Sequence, residues 1–276
     1  MKSSLCLLCC LFVLWGCQSG RPVAMTDDIP SLHLPETQIN YNEVDKLDPT
    51  SIPWGLGKAT DSNLQPVDAV EANRKYQAYN AVFVGQPDQK IYLTFDNGYE
   101  NGNTEKILDT LKEKQVSAVF FVTAQYVREN PELIRRMIDE GHIIGNHSVH
   151  HYSFPSISTR SIAQEILGLH EMMMKDYLYK MTLVRPPKGE FSERALALAD
   201  LLDYQSVFWS YAYYDYNVKD QPQAEEALKK LLDHAHPGAI YLLHSVSDTN
   251  TRILPRFIDG LRNLNYEVST YDLDKK

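Results

Sequence analysis

From residue 91 onward the chain alternates between short apolar runs and longer stretches in which apolar residues recur every three or four positions. Residues 91–95, 118–122, 142–145, 182–184, 206–209 and 239–243 read as short strands, and 266–270 as a closing one. Their apolar character is nearly continuous, the pattern of strands covered on both faces. Helical spacing fills the intervals. A first helix spans 67–79. Asn103 caps a helix carrying Ile107, Leu108 and Leu111, and Asn130-Pro131 opens one carrying Leu133, Ile134, Met137 and Ile138, which Gly141 stops. Another displays Ile162, Ile166 and Leu169. Ser192 caps the next, with Ala195, Leu196 and Ala199. One follows Pro222 with Ala227, Leu228, Leu231 and Leu232. The last shows Ile253, Leu254, Phe257, Ile258 and Leu261, and Pro255 is expected in its first turn. About seven strands, each followed by a helix except the last, predict an α/β fold with a parallel sheet, either a barrel or a doubly wound sheet.

In this strand map five polar clusters fall at strand C-termini: Asp96-Asn97, His147-Ser-Val-His-His151, Arg185-Pro-Pro-Lys-Gly189, Asp215 and His244. In a parallel barrel those ends meet on one rim, so the clustering points to one active site. His147 and His151 are four apart, and a helical turn would project both from one face, a pair suited to a divalent metal. His150 is a third candidate. An ionised Asp96 accepts only and can take a proton from water; its bland role is to cap the turn after the strand. His244 ends an apolar run and reads as a general acid or, more blandly, as a satisfied buried histidine. Arg185, stiffened by two prolines, can hold a carboxylate ionised and oriented, where a surface ion pair would do little. His142, His170, His234 and His236 read as surface or capping residues, and His33 lies in the N-terminal segment.

Composition narrows the classes. The 276 residues and 43% hydrophobic content are enough for one large domain, and the net charge of −9 comes without any Lys/Arg cluster. Nucleic-acid binding is therefore disfavoured. The 17 tyrosines suit both sugar stacking and ordinary core filling. All four cysteines lie in the first 17 residues, around an apolar run too short to span a membrane comfortably. Residues 1–17 read as a signal peptide. Leu14-Trp-Gly-Cys17 resembles a lipobox, which implies a lipid anchor at Cys17; an ordinary secretory signal is the alternative, and both mean export. Residues 18–66, rich in proline, read as a tether and N-terminal arm, with Trp54-Gly-Leu-Gly57 packing on the domain. Residues 67–272 read as the catalytic domain and 273–276 as a tail.

Thr94-Phe-Asp-Asn-Gly98, His147-Ser-x-x-His151, Arg185-Pro-Pro-x-Gly189, Asp215-Tyr216 and Leu242-Leu-His244 resemble, in order, the five motifs of the polysaccharide deacetylase (NodB homology) family. Asn97-Gly-Tyr-Glu-Asn-Gly and the runs ending in His147 and His244 look most like its PdaA-type branch, the N-acetylmuramic acid deacetylases behind muramic δ-lactam of spore cortex. The resemblance implies a distorted (β/α)7 barrel. It also implies removal of an acetyl group from peptidoglycan glycan strands by a monomer that uses a divalent metal, zinc first among them. In these terms Asp96 is the base, His244 the acid, Arg185 the group orienting Asp96, and Asp215 a support for the charge network. His147, His151 and Asn97 would ligate the metal, and Tyr99, Lys188 and Tyr216 would contact substrate. Two positions depart from the family pattern: Asn97 replaces a second aspartate, implying weaker metal binding, and Ala212 replaces the aspartate that usually opens the fourth motif. Both remove negative charge, which would suit an anionic muramic acid, with Lys188 as a partner for its carboxylate. The alternatives are an N-acetylglucosamine deacetylase acting on peptidoglycan or chitin oligomers, a glycosidase using Asp96 and Asp215, and an inactive glycan-binding lipoprotein.

Overall fold

A computed structural model describes residues 39–272. The expected signal peptide, the lipobox, residues 18–38 of the tether and the tail lie outside the described residues. In chain order the elements are α1 (Tyr41–Val44), β1 (Ile52–Pro53), α2 (Val67–Tyr76), β2 (Ala81–Val82), β3 (Lys90–Asn97), α3 (Thr104–Lys114), β4 (Val119–Val122), α4 (Ala124–Glu129), α5 (Pro131–Asp139), β5 (Ile143–Asn146), α6 (Thr159–Tyr177), β6 (Leu183–Val184), β7 (Glu190–Phe191), α7 (Glu193–Leu201), β8 (Gln205–Val207), β9 (Tyr211–Ala212), α8 (Ala224–Asp233), β10 (Ala239–His244), α9 (Asp248–Asn263) and β11 (Glu267–Val268). No helix among the described residues is long and apolar enough to cross a membrane.

The main sheet runs β2-β8-β6-β5-β4-β3-β10-β9, with β11 beside the start of β3, and every pairing in it is parallel. It curls without pairing β2 to β9, an open form of the expected (β/α)7 barrel. Strand β3 is buried along nearly its whole length, as a central parallel strand with helices outside and side chains inside must be. Tyr92, Val119, Phe121, Leu183, Val207 and Ile240 fill the curl from five strands. A second cluster of Phe83, Phe191 and Phe208 closes the side near α2, and Trp54 packs against Phe83 and Phe208. The Trp54 indole N–H also donates to the Trp209 carbonyl, and β1 pairs with β7. The Trp54 segment thus seals the barrel edge that carries the Arg185 loop.

Local signals explain most element ends. The Thr123, Ser158, Ser192 and Ser247 side chains each accept a backbone N–H at a helix start. Ser247 corrects the expectation for Pro255. Its cap starts α9 at Asp248, so Pro255 sits inside the helix and not in its first turn. The short strands β2, β7 and β9 and helix α4 carry too few residues to show periodicity and were not legible in the pattern.

Candidate active site

The C-terminal ends of β3, β5, β6 and β10 open onto one cleft of about 1060 Å³. In the parallel register His244 of β10 stands beside Asp96 of β3, so both side chains leave the sheet on the same face. Arg185, directly after β6, is fully buried. Its Nη1 donates to Asp96 Oδ1 at 2.7 Å, Nε donates to the Val207 carbonyl and Nη2 to that of Phe208. The guanidinium lies over the Phe121 ring at 4.1 Å. Each of the three guanidinium nitrogens thus donates one hydrogen bond, and the Asp96 carboxylate is fixed. Burial raises the Asp96 carboxyl, but the charge of Arg185, with His147 and His244, outweighs it, and the net shift is downward.

His244 is held from behind. Its Nδ1 is 2.7 Å from Asp215 Oδ1, and its backbone N–H donates to Asp215 Oδ2. Asn250 donates to that same Oδ2 and to the His244 carbonyl. Burial would lower the imidazole, yet the Asp215 charge and hydrogen bond outweigh it and raise it. With Nδ1–H committed to Asp215, Nε2 is the nitrogen left for the cleft. Asn250, a residue the motifs did not single out, is therefore part of the site. It follows the Ser247 cap on the first turn of α9, and only the cap pattern signals it.

His147 and His151 meet with ring centroids 4.9 Å apart at 66°. They do so by a route other than the expected helical turn. The connection is a loop in which Ser148 (φ 70°) and His151 (φ 60°) both take the left-handed conformation. Strain of this kind persists only where surrounding contacts enforce it. The His151 N–H donates to Ser148 Oγ and the Ser148 N–H to Asn146 Oδ1. Glu165 of α6, buried, accepts the His150 N–H at 2.7 Å and approaches its Nδ1 at 2.6 Å. His150 thereby clamps the loop to α6.

Asn97 does not join this group. Alternation along β3 turns it to the face opposite Asp96, where the register also places Ser245 opposite His244. Its Oδ1 accepts from Ser245 Oγ at 3.0 Å, its amide faces Thr104 Oγ1, and it is absent from the cleft lining. The expectation that Asn97 ligates a metal is corrected accordingly. Tyr99, Lys188 and Tyr216 do line the cleft, and the Tyr216 ring lies 5.6 Å from that of His244. Trp209, Tyr152 and Arg128 line it too and carried no motif signal. His142, His170 and His236 are buried, contrary to the surface reading. His142 accepts the Ala118 N–H, His170 contacts the Tyr204 hydroxyl and His236 contacts Ser210 Oγ.

The donor set gives a direct test of the metal. His147 Nδ1 is 2.8 Å from the Arg185 carbonyl, which can only accept, so Nδ1 carries the hydrogen. Burial lowers this imidazole to about 4, and burial also lowers His151, so both rings are neutral near pH 7. The lone pair of His147 Nε2 then faces Asp96 Oδ2 across 3.6 Å with no hydrogen between them. Two neutral imidazoles that meet on the cleft wall suit a divalent cation. Among the described residues no three His, Cys, Asp or Glu side chains converge on one point, so the fit is that of a two-histidine holder.

Residues 84–207 match the family model for polysaccharide deacetylases. The chain belongs to the polysaccharide deacetylase family, as the identity and coverage of its relatives show. Peptidoglycan-N-acetylmuramic acid deacetylase PdaA of Bacillus subtilis (strain 168) is 43% identical over 228 residues, covering 80% of this chain and 84% of that protein. The structure of B. subtilis PdaA, described as a family 4 carbohydrate esterase, matches with a TM-score of 0.76 at 40% identity, covering 81% of this chain and 96% of that one. Peptidoglycan-N-acetylglucosamine deacetylase PgdA of Listeria monocytogenes is 32% identical over 185 residues, covering 67% of this chain and 38% of that protein. The membership expected from the five motifs is borne out.

Proposed function

We propose that this protein is an exported hydrolase that removes the N-acetyl group from N-acetylmuramic acid residues of peptidoglycan. The freed amine can then close a six-membered lactam on the neighbouring lactyl carboxyl, as in spore cortex. One observation carries the reading. Asp96 and His244 stand side by side on one rim, the first held ionised by Arg185 and the second pushed toward its protonated form by Asp215. A base and an acid with environments pushed in opposite directions are what hydrolysis of an unactivated amide requires.

In this reading Asp96 takes a proton from water as the oxygen attacks the acetamide carbonyl carbon. The C–N bond of the resulting tetrahedral species breaks as His244 Nε2–H protonates the nitrogen. Acetate and a free amino sugar leave, and the proton on Asp96 returns to His244 through solvent. Arg185 keeps Asp96 in place, and Asp215 keeps Nε2 aimed at the nitrogen. A divalent metal, zinc first among them, would be held by His147 and His151, and when bound it supplies Lewis-acid polarisation of the carbonyl. Tyr99, Tyr152 and Tyr216 offer ring faces to a sugar.

Mass spectrometry of purified cell-wall glycan, incubated with the protein and a panel of divalent metals, tests the proposal. The expected result is loss of one acetyl group located on muramic acid. Loss from glucosamine instead would assign the activity of the Listeria relative. Asp96→Asn should abolish acetate release while circular dichroism stays unchanged, and full activity in that variant would refute the assigned base.

A further inference from the structure

The cleft wall carries charge that the chemistry at Asp96 and His244 does not use. Among the described residues lining it, Asp96 is the only carboxylate, and Arg185 neutralises it. Arg128 and Lys188 line the same cleft, and neither has a side-chain hydrogen bond or ion pair among the described residues. The chain as a whole carries a net charge of −9, so a wall with two uncompensated cations runs against the charge of the molecule.

Their placement is specific. Arg128 comes from α4, which follows β4, and Lys188 from the turn between β6 and β7. Strand β5 lies between β4 and β6, so the two cations flank the loop of His147 and His151 from opposite sides. Lys188 is held left-handed at φ 62°, between Pro187 and a Gly189 that is also left-handed at φ 65°. A side chain in that region is strained and stays there only where its surroundings hold it. The stiff Pro186-Pro187 segment and the Trp209 ring packed on Gly189 hold the turn in place. The one carboxylate next to Arg128 in sequence, Glu129, is already engaged by Gln125.

We propose that Arg128 and Lys188 form an anion-recognition pair for the free carboxylate of the 3-O-lactyl ether on the sugar being deacetylated. This rests on the deacetylase reading above. The chemistry sets the range: the lactyl ether and the acetamide sit on adjacent ring carbons, so a substrate with its amide at Asp96 and His244 must place that carboxylate within the same cleft. A stem peptide converts the lactyl carboxyl to a neutral amide and carries its own carboxylates further out. The pair therefore distinguishes a bare muramic acid from both N-acetylglucosamine and a peptide-bearing strand.

The test measures acetate release from three substrates: glycan strands with free lactyl carboxylates, the same strands with those carboxylates reduced to alcohols, and stem-peptide-bearing strands. The wild type is expected to favour the free-carboxylate strands over the reduced ones, and the preference should shrink between about 0.02 and 0.2 M salt. R128Q and K188Q should each cut that ratio by about threefold to fivefold, mainly through KM, and the double variant should remove it. Equal cleavage of free and reduced strands by the wild type would overturn the proposal without needing any variant to fold. So would an unchanged ratio in variants whose circular dichroism matches wild type, or a preference for peptide-bearing strands. If no strand releases acetate, the deacetylase reading fails by itself. Retention of free-carboxylate strands at low salt, lost in the double variant, would then still support the pair, and salt-insensitive retention would overturn it.

Discussion

At the scale of single residues, the site is a set of charges each fixed by one dedicated partner. Arg185 is buried with every guanidinium nitrogen hydrogen-bonded, so its removal leaves the buried Asp96 carboxylate without its partner. Arg185→Met is expected to destabilise the protein by about 3–5 kcal/mol in urea unfolding. Arg185→Lys should recover little of this, because an ammonium cannot serve Asp96, Val207 and Phe208 from one rigid fork. The pair of His244 and Asp215 sets the alkaline side of the pH profile. The carboxylate raises the imidazole, so the acid form survives to higher pH and activity falls only as pH rises through the elevated pKa. Asp215→Asn removes the charge that raises it, and the alkaline limb of kcat/KM should move toward lower pH. An unmoved limb would mean that His244 is not the acid. Asn97→Asp is not expected to add a metal ligand. Its side chain faces Thr104 and Ser245, and Thr104 is already hydrogen-bonded to the Glu100 carboxylate, so the change sets like charges close together and should lower stability.

At the scale of elements, the histidine loop after β5 is the vulnerable part. Two left-handed non-glycine residues hold the ring pair together, and both oxygens of Glu165 on α6 fasten the loop at His150. Glu165→Ala removes the charged acceptor of the part-buried His150 N–H and is expected to cost about 1–3 kcal/mol. It should also raise hydrogen exchange at 148–151 and lower kcat more than it raises KM. Normal exchange there would show that the clamp is not needed. Strand β5 has a second requirement. A Cβ at Gly145 would overlap the Phe121 ring, itself the platform for Arg185, so Gly145→Ala should destabilise by about 1–3 kcal/mol and disturb the Arg185–Asp96 pair.

At the scale of the whole molecule, several histidines are stored neutral in the core. His142 is the clearest outside the site. Burial lowers it to about 4, and its unprotonated Nδ1 accepts the Ala118 N–H. The folded state therefore holds fewer protons than the unfolded one between pH 6.5 and about 4. Its contribution is complete above pH 6.5 and is lost as pH falls toward 4, by about 3 kcal/mol over the full window. His142→Gln should lose about 2 kcal/mol less than wild type between pH 7 and pH 4.5 in denaturant titrations. Parallel acid limbs would show that this imidazole does not titrate with folding.

Sequence and tertiary structure divide the account along a physical line. The apolar runs at 91–95, 118–122 and 239–243 determined the parallel sheet, because strands covered on both faces admit little else. The polar residues that end those runs determined which rim holds the chemistry. Helix starts were legible wherever a serine or a proline marked them, as at Ser192 and Pro131. What the periodicity could not carry was decided by packing across the sheet. Register alone set His244 beside Asp96 and turned Asn97 away. The ring contact of His147 and His151 came from a strained loop held by Glu165, and no spacing rule contains that contact. Buried His142 and His236, like the unpaired Arg128 and Lys188, show the same limit: a residue's charge state and use depend on which neighbours reach it in space, and those neighbours lie far away in the chain.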